Sequence, residues 1–190
     1  MRPHARVITA AAALSRLVAE MTPGTVAYGE EAIHTTITDY MIAPNFVPSG
    51  NPEHEHTLEI LSSSARRIVE RYVIRKTDIP ACSYLGYAFN QTGVILRGTP
   101  SETFFHITQQ MVKMAQQAGI SLRMPWGAHA TIARFSTISS AAFAQELRSF
   151  MAVFNPLQAS PYFPFQYVGV GWFANGPKGF NLHMTERIDF

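Results

Sequence analysis

Apolar residues at the start of the chain fall three and four apart, at Val7, Ala11, Leu14, Val18 and Met21. That spacing predicts an amphipathic helix with those five side chains on one face, ended by Pro23-Gly24. From Val26 to Met41 β-branched and aromatic residues take over. They predict a strand or hairpin broken near Gly29-Glu30, before a Pro, Gly and Asn loop from Pro44 to Pro52. Helical spacing returns from His56 to Tyr72, at Leu58, Leu61, Ala65, Ile68 and Tyr72. Ser83 to Phe89 and Val94 to Gly98 then flank Asn90-Gln91-Thr92-Gly93, a hairpin signal. Pro100-Ser101-Glu102 opens a further helix through Phe104, Ile107, Met111, Met114 and Ala118 to Gly119.

The remainder repeats this order. Ala128 to Phe135 reads as a strand and Ser139 to Phe154 as a helix; Phe165 to Phe173 and Phe180 to Ile188 read as strands joined by Asn175-Gly176-Pro177-Lys178-Gly179. Strand, helix and two-strand hairpin thus occur twice. Interleaved hairpins and helices favour an α+β fold with antiparallel sheets over a doubly wound parallel one. With 190 residues, 47% of them hydrophobic, and no separating linker, a single two-lobed domain over residues 1–190 is expected.

Charge narrows the partners. Lys+Arg number 15 against 13 Asp+Glu, a formal +2, which is too little positive field for duplex DNA. No apolar run approaches the roughly 18 residues that span a bilayer, and Arg16 interrupts the short apolar stretch behind the basic N-terminus, so neither a membrane segment nor a signal peptide is expected. Cys82 is the only cysteine; it allows no intramolecular disulfide and no cysteine-based zinc site, and a reducing, cytoplasmic setting is the default. The expectation is a soluble monomer.

Four of the seven histidines open a His-x-Thr triplet: His34, His106, His129 and His183. Two share more than the triplet. Ala32-Ile33-His34-Thr35-Thr36-Ile37-Thr38-Asp39-Tyr40 aligns with Gly127-Ala128-His129-Ala130-Thr131-Ile132-Ala133-Arg134-Phe135, with His, Thr, Ile and an aromatic at equal offsets. On a strand, side chains alternate between faces, so His34 projects with Thr36 and His129 with Thr131. If the two halves pack as pseudo-symmetric lobes, both pairs converge on one cleft. Such a cleft suits phosphodiester cleavage: a neutral imidazole takes a proton from the attacking oxygen, an imidazolium gives one to the leaving oxygen, and the hydroxyls hold non-bridging oxygens. Histidine fits both tasks because its ordinary pKa of about 6.5 lets both forms coexist near neutrality.

Paired His-x-Thr-aliphatic motifs in an α+β chain of this length resemble the 2H phosphoesterase superfamily, which includes the bacterial RNA 2′,3′-cyclic phosphodiesterases (2′-5′ RNA ligase-like proteins). The run from His129 to Arg134 is especially close to the family's His-x-Thr-hydrophobic-Ala-Arg form. The resemblance covers residues 26 to 190. It implies a bilobal duplicated fold, a mechanism without metal or cofactor, catalytic His34 and His129 assisted by Thr36 and Thr131, and a 2′-monophosphate product. It also suggests that Arg134 contacts phosphate. The substrate expected is a nucleotide or single-stranded RNA end bearing a 2′,3′-cyclic phosphate. The alternatives are 2′-5′ oligonucleotides or cyclic dinucleotide signals, and a non-catalytic nucleotide-binding module.

The other candidates carry less. Tyr40, Trp126 and Phe135 stand beside the motifs where an aromatic ring can stack on a base. His106 opens a helix, where residues two apart diverge, and reads as structural. His183 has Thr185 on its face but Glu186 in place of the aliphatic and no helix after it, which favours substrate contact over catalysis as its function, if it has one. His54-Glu55-His56 reads as a solvated helix start rather than a metal site, since three adjacent residues cannot all ligate with normal geometry. Gly169, Gly171, Gly176 and Gly179 lie in a strand and a hairpin turn and form no phosphate loop.

Overall fold

The computed structural model describes residues 1–22, 24–39, 51–73, 78–90, 92–125, 127–136, 140–153, 161–176 and 179–190. Helix α1 (Ala5–Met21) starts behind His4, whose ring Nδ1 accepts the Arg6 amide at 3.2 Å and satisfies one donor of the first turn. It buries Val7, Ala11, Leu14 and Val18 as predicted, with Ile8, Ala12 and Ser15 beside them. Met21 departs from the prediction: it is the last helical residue and is 42% exposed, so the covered face stops at Val18.

Helix α1 packs on a five-stranded antiparallel sheet in the order β1 (Thr25–Ala27), β4 (Ala128–Phe135), β3 (Gly93–Pro100), β2 (Ala81–Asn90), β5 (Phe163–Pro164). Strands β2 and β3 are the hairpin read from Asn90 to Gly93. Helix α3 (Glu102–Gln117) follows; the Ser101 hydroxyl accepts the Ala81 amide at 3.0 Å, tying the helix start to the first residue of β2. A second antiparallel pair is formed by β6 (Tyr167–Gly176) and β7 (Gly179–Asp189). Helix α2 (Pro52–Val73) begins at Pro52 rather than His56. The Asn51 side-chain oxygen accepts the Glu53 and His54 amides at 3.1 and 3.4 Å, and proline suits the first helical position. Helix α4 (Ala141–Val153) fills the predicted 139–154 span, whose two end residues lie outside the described ones.

The expected strand or hairpin over Val26 to Met41 is mostly something else. After the three residues of β1 comes a 3-10 turn at Glu30–Ala32, then an extended segment to Asp39 that pairs only through single bridges, Thr35 with Ala130 and Asp39 with Arg123. Its hydrogen bonds are divided between two sides. Thr35 exchanges backbone bonds with Met1, amide to carbonyl at 2.9 Å and Met1 nitrogen to carbonyl at 2.6 Å, while its other side faces β4. Arg2 in turn donates to the Tyr167 carbonyl and accepts from the Gln166 amide, both at 2.9 Å. Residues 1–2 therefore stitch the β6–β7 pair to the Thr35 segment, and Thr35 joins that to the larger sheet.

This stitching exchanges the halves. The β2–β3 hairpin follows α2 in sequence yet lies beside the second motif on β4, whereas β6–β7 follows the second motif and is joined to the first. Helix α2 accordingly packs on β6 and β7, and α4 on β2. The result is the expected α+β architecture, two antiparallel sheets with helices against them, built from crossed halves. None of the described helices is long and apolar enough to cross a membrane.

Candidate active site

Although it has no ladder, the segment around His34 keeps the period of a strand. Ile33, Thr35 and Ile37 are buried, and His34, Thr36 and Thr38 between them reach the surface. On β4, Ala128 and Ala130 are buried and His129 and Thr131 are half-buried. The bridge between Thr35 and Ala130 fixes how the two motifs meet: its antiparallel register sets His34 against Thr131 and Thr36 against His129. The two imidazoles then occupy one diagonal of a square and the two hydroxyls the other. Diagonal neighbours on an antiparallel face have Cβ atoms about 7–8 Å apart, room for one phosphate between them. All four side chains line one cleft of about 500 Å³.

Arg134 joins them through a bulge. Plain alternation from His129 and Thr131 would turn Arg134 to the far face. Pairing of β3 with β4 steps from Ile95↔Thr131 to Val94↔Ala133, which leaves Ile132 as an extra residue and makes Ile132 and Ala133 both buried. Parity flips, and Arg134 comes out exposed on the cleft side. It lies beside the buried Tyr28: burial raises that phenol above its ordinary pKa, and the hydrogen bond and charge of Arg134 oppose the rise.

Both histidines are held by the backbone two residues earlier. The His34 ring Nδ1 bonds the Ala32 carbonyl at 2.8 Å, and the His129 ring is held by Gly127. A carbonyl only accepts, so Nδ1 of His34 carries the proton, and its Nε2 accepts from the Thr36 hydroxyl at 3.2 Å. Burial lowers the His34 pKa to about 4; the Met1 amine, His129 and Arg2 add positive charge against protonation. His129 is also below its ordinary value, through burial and then the charge of Arg134, with its bond to Gly127 opposing. Phe173 of β6 packs over His34 with ring centroids 4.8 Å apart.

The cleft has a second chamber of about 360 Å³, which shares His129, Thr131 and Arg134 with the first and extends over Phe89 and Gly93. Tyr28, Arg123 and Phe173 in the first chamber and Phe89 in the second went unread in the sequence, because none of them belongs to the repeated motif.

Other expectations fare differently. Tyr40 and Trp126 lie outside the described residues. Phe135 packs edge-on against Phe143 at 5.5 Å and is absent from the cleft lining, so its proposed stacking on a base gives way to core packing. His183 is exposed, stacked on Trp172 at 5.1 Å, and does not line the cleft. His106 is exposed on α3, His54 sits in the first turn of α2 and His56 just after it. Among the described residues no three His, Cys, Asp or Glu side chains form a group fit to hold a metal ion.

No protein-family model and no curated protein matches the sequence. Solved structures do match the fold. TT0787 of Thermus thermophilus superposes with a TM-score of 0.62 at 13% identity, over 98% of this chain and 92% of that one. A structure described as a phosphoesterase gives 0.59 at 12% identity over 96% and 92%, and the MHV ns2 PDE domain gives 0.50 at 15% over 96% and 92%. At such identities the likeness carries the fold, and the fold is that of the 2H phosphoesterases.

Proposed function

We propose that this chain, which has the 2H phosphoesterase fold, is a metal-independent phosphodiesterase that hydrolyses 2′,3′-cyclic phosphates of nucleotides or RNA ends. The observation that carries the reading is the Thr35–Ala130 bridge, which sets two imidazole–hydroxyl pairs from distant parts of the chain across one cleft. Binding alone calls for no second histidine at such a position; proton transfer in both directions does.

His34 fits the base. Its Nδ1 proton is committed to Ala32, burial keeps the ring neutral, and its Nε2 lone pair faces the cleft beside Thr36. Water attacks phosphorus and passes a proton to that nitrogen as the new P–O bond forms. The bond to one ring oxygen breaks, and His129, protonated in the field of the bound phosphate, gives that oxygen its proton. When the phosphate binds, the Thr36 hydroxyl turns its one proton from His34 Nε2 to a non-bridging oxygen and so frees that lone pair; Thr131 holds the other non-bridging oxygen, and Arg134 offsets the charge that develops there. The strained ring needs little else. A cytoplasmic setting belongs to this reading: the one thiol, Cys82, is buried and free, and burial pushes its pKa up to about 12, so it is inert.

The second chamber favours a second reading. A cyclic mononucleotide fills one side of His129 and Arg134, whereas a 2′-5′ oligonucleotide or a cyclic dinucleotide carries a nucleoside on both sides of its phosphate and fills both. The test is incubation of the purified protein with 2′,3′-cyclic mononucleotides, a cyclic-phosphate-ended oligonucleotide, a 2′-5′ oligoadenylate and a cyclic dinucleotide. Turnover of the first two supports the proposal. Turnover of the last two alone replaces it with the second reading, and binding without any turnover replaces both with a non-catalytic module.

A further inference from the structure

We propose that Arg2 is a positioning residue for His34, a clasp that fixes the flank of the imidazole where no strand ladder does so. The proposal rests on the reading of His34 as the base. The segment that delivers His34 is a 3-10 turn followed by isolated bridges at Thr35 and Asp39, so the regular β hydrogen bonds that hold His129 on β4 are missing on its N-terminal side. The guanidinium of Arg2 stands in for them. One terminal nitrogen, Nη1, donates to the carbonyls of Glu30, Ile33 and Glu31 at 2.6, 2.8 and 3.2 Å, sharing its two protons among three acceptors.

Those acceptors bracket the one that matters. The carbonyl of Ala32 lies between those of Glu31 and Ile33 in the chain, and it holds His34 Nδ1 at 2.8 Å. With the carbonyls on either side directed at Arg2, the Ala32 peptide cannot rotate without breaking charge-assisted bonds, and the Nδ1–H tautomer of His34 is fixed with it. Arg2 is itself anchored. Its amide and carbonyl bond Tyr167 and Gln166 at 2.9 Å each, and the Gln166 side chain donates to the Pro3 carbonyl at 2.6 Å. The clasp therefore refers the position of His34 to the β6 side of the fold, the same strand whose Phe173 packs on the ring. A lysine does not replace it: its ammonium has three protons for the three carbonyls, but it sits on a flexible stem and lacks the fixed direction that the planar guanidinium gives Nη1. The charged or titratable groups facing the imidazole are Arg2, the Met1 amine, which burial lowers to about 5, and His129, which burial also lowers, so removing Arg2 also takes away the guanidinium charge.

The experiment compares the intact protein with R2Q and R2K. Long-range ¹H–¹⁵N correlation spectra of the imidazoles give the tautomer and titration midpoint of His34, assigned by its loss in H34N, and circular dichroism reports folding. In the intact protein His34 is expected as the Nδ1–H tautomer. In R2Q the tautomer is expected to become mixed and the midpoint to move upward, with kcat on the best substrate falling roughly tenfold or more and KM within about twofold, as misplacement of a catalytic group predicts. R2K is expected to keep the low midpoint while still losing the single tautomer, and it carries the test should R2Q not fold. A folded R2Q or R2K whose His34 keeps the pure Nδ1–H tautomer overturns the proposal. If the tautomer responds as expected but the intact protein cleaves no phosphodiester, the clasp stands and the assignment of His34 as a base falls.

Discussion

Replacing His34 with asparagine leaves a side-chain N–H within reach of the Ala32 carbonyl but removes the titration, and stability should then lose part of its pH dependence. The ring has a folded pKa of about 4, mainly from burial, against an ordinary value of 6.5. Between those values the unfolded chain binds a proton that the folded one refuses, so this group lets stability rise with pH and withdraws it as pH falls from 6.5 towards 4. At about 1.36 kcal/mol for each tenfold change in proton affinity, the full effect is on the order of 3 kcal/mol, with roughly 2 kcal/mol of it lost between pH 7 and pH 5. Urea unfolding followed by tryptophan fluorescence at both pH values gives the measurement. Titrations at sites that do not interact with His34 enter both proteins and cancel in the comparison. The intact protein should lose about 2 kcal/mol more than H34N on going from pH 7 to pH 5. Equal losses, within about 0.5 kcal/mol, would show that His34 titrates normally, and the argument for a pre-set neutral base would fail.

Three further outcomes follow from the same site. H34N and H129N should each lower kcat/KM about 10²-fold or more on whichever diester is cleaved, and the intact activity should survive a chelator; loss in EDTA with recovery on adding a divalent ion contradicts the paired-histidine mechanism. Because both imidazoles titrate below 6.5 in the free protein, kcat/KM should peak on the acid side of neutrality, its acid limb near 4 for His34 and its alkaline limb set by His129; a maximum above pH 7 refutes this. Gly93→Ala should destabilise by roughly 1–3 kcal/mol and raise KM more than it lowers kcat: a Cβ there would lie 2.4 Å from the Ala133 carbonyl, at the bulge that turns Arg134 to the cleft. An unfolding midpoint unchanged in G93A shows instead that the bulge relaxes freely.

What could be read from the sequence was whatever depends on a few consecutive residues. The helical spacing of α1, α2 and α3, the turn at Asn90 to Gly93 and the strand from Ala128 to Phe135 are all local in this sense, and the bounds of that strand match residue for residue. So is the alternation that puts His34 with Thr36 and His129 with Thr131. It survives at His34 without a ladder, because Ile33, Thr35 and Ile37 are taken into the core whatever their hydrogen bonds do. Arg134 shows where local reading stops. Its place in the motif suggested phosphate contact, yet simple alternation would have sent it the other way, and only the pairing with β3 reveals the extra residue at Ile132.

Crossing of the halves lay beyond the sequence for a different reason. Each half has the same order of strand, helix and hairpin, and either hairpin is able to complete either sheet, so the pattern of apolar positions is equally satisfied by separate and by exchanged lobes. The choice is made by contacts between residues far apart: Met1 with Thr35, Arg2 with Tyr167, and Thr35 with Ala130. The exchange also bears on the chemistry. With separate lobes, each histidine would be carried by its own rigid unit and their spacing would rest on a lobe–lobe interface. As built, the Thr35–Ala130 bridge lies directly between the two motifs, and the side chains on either side of it inherit the fixed spacing of neighbouring strands. Proton transfer in two directions across one phosphate depends on that spacing, and the bridge places it directly between the two motifs.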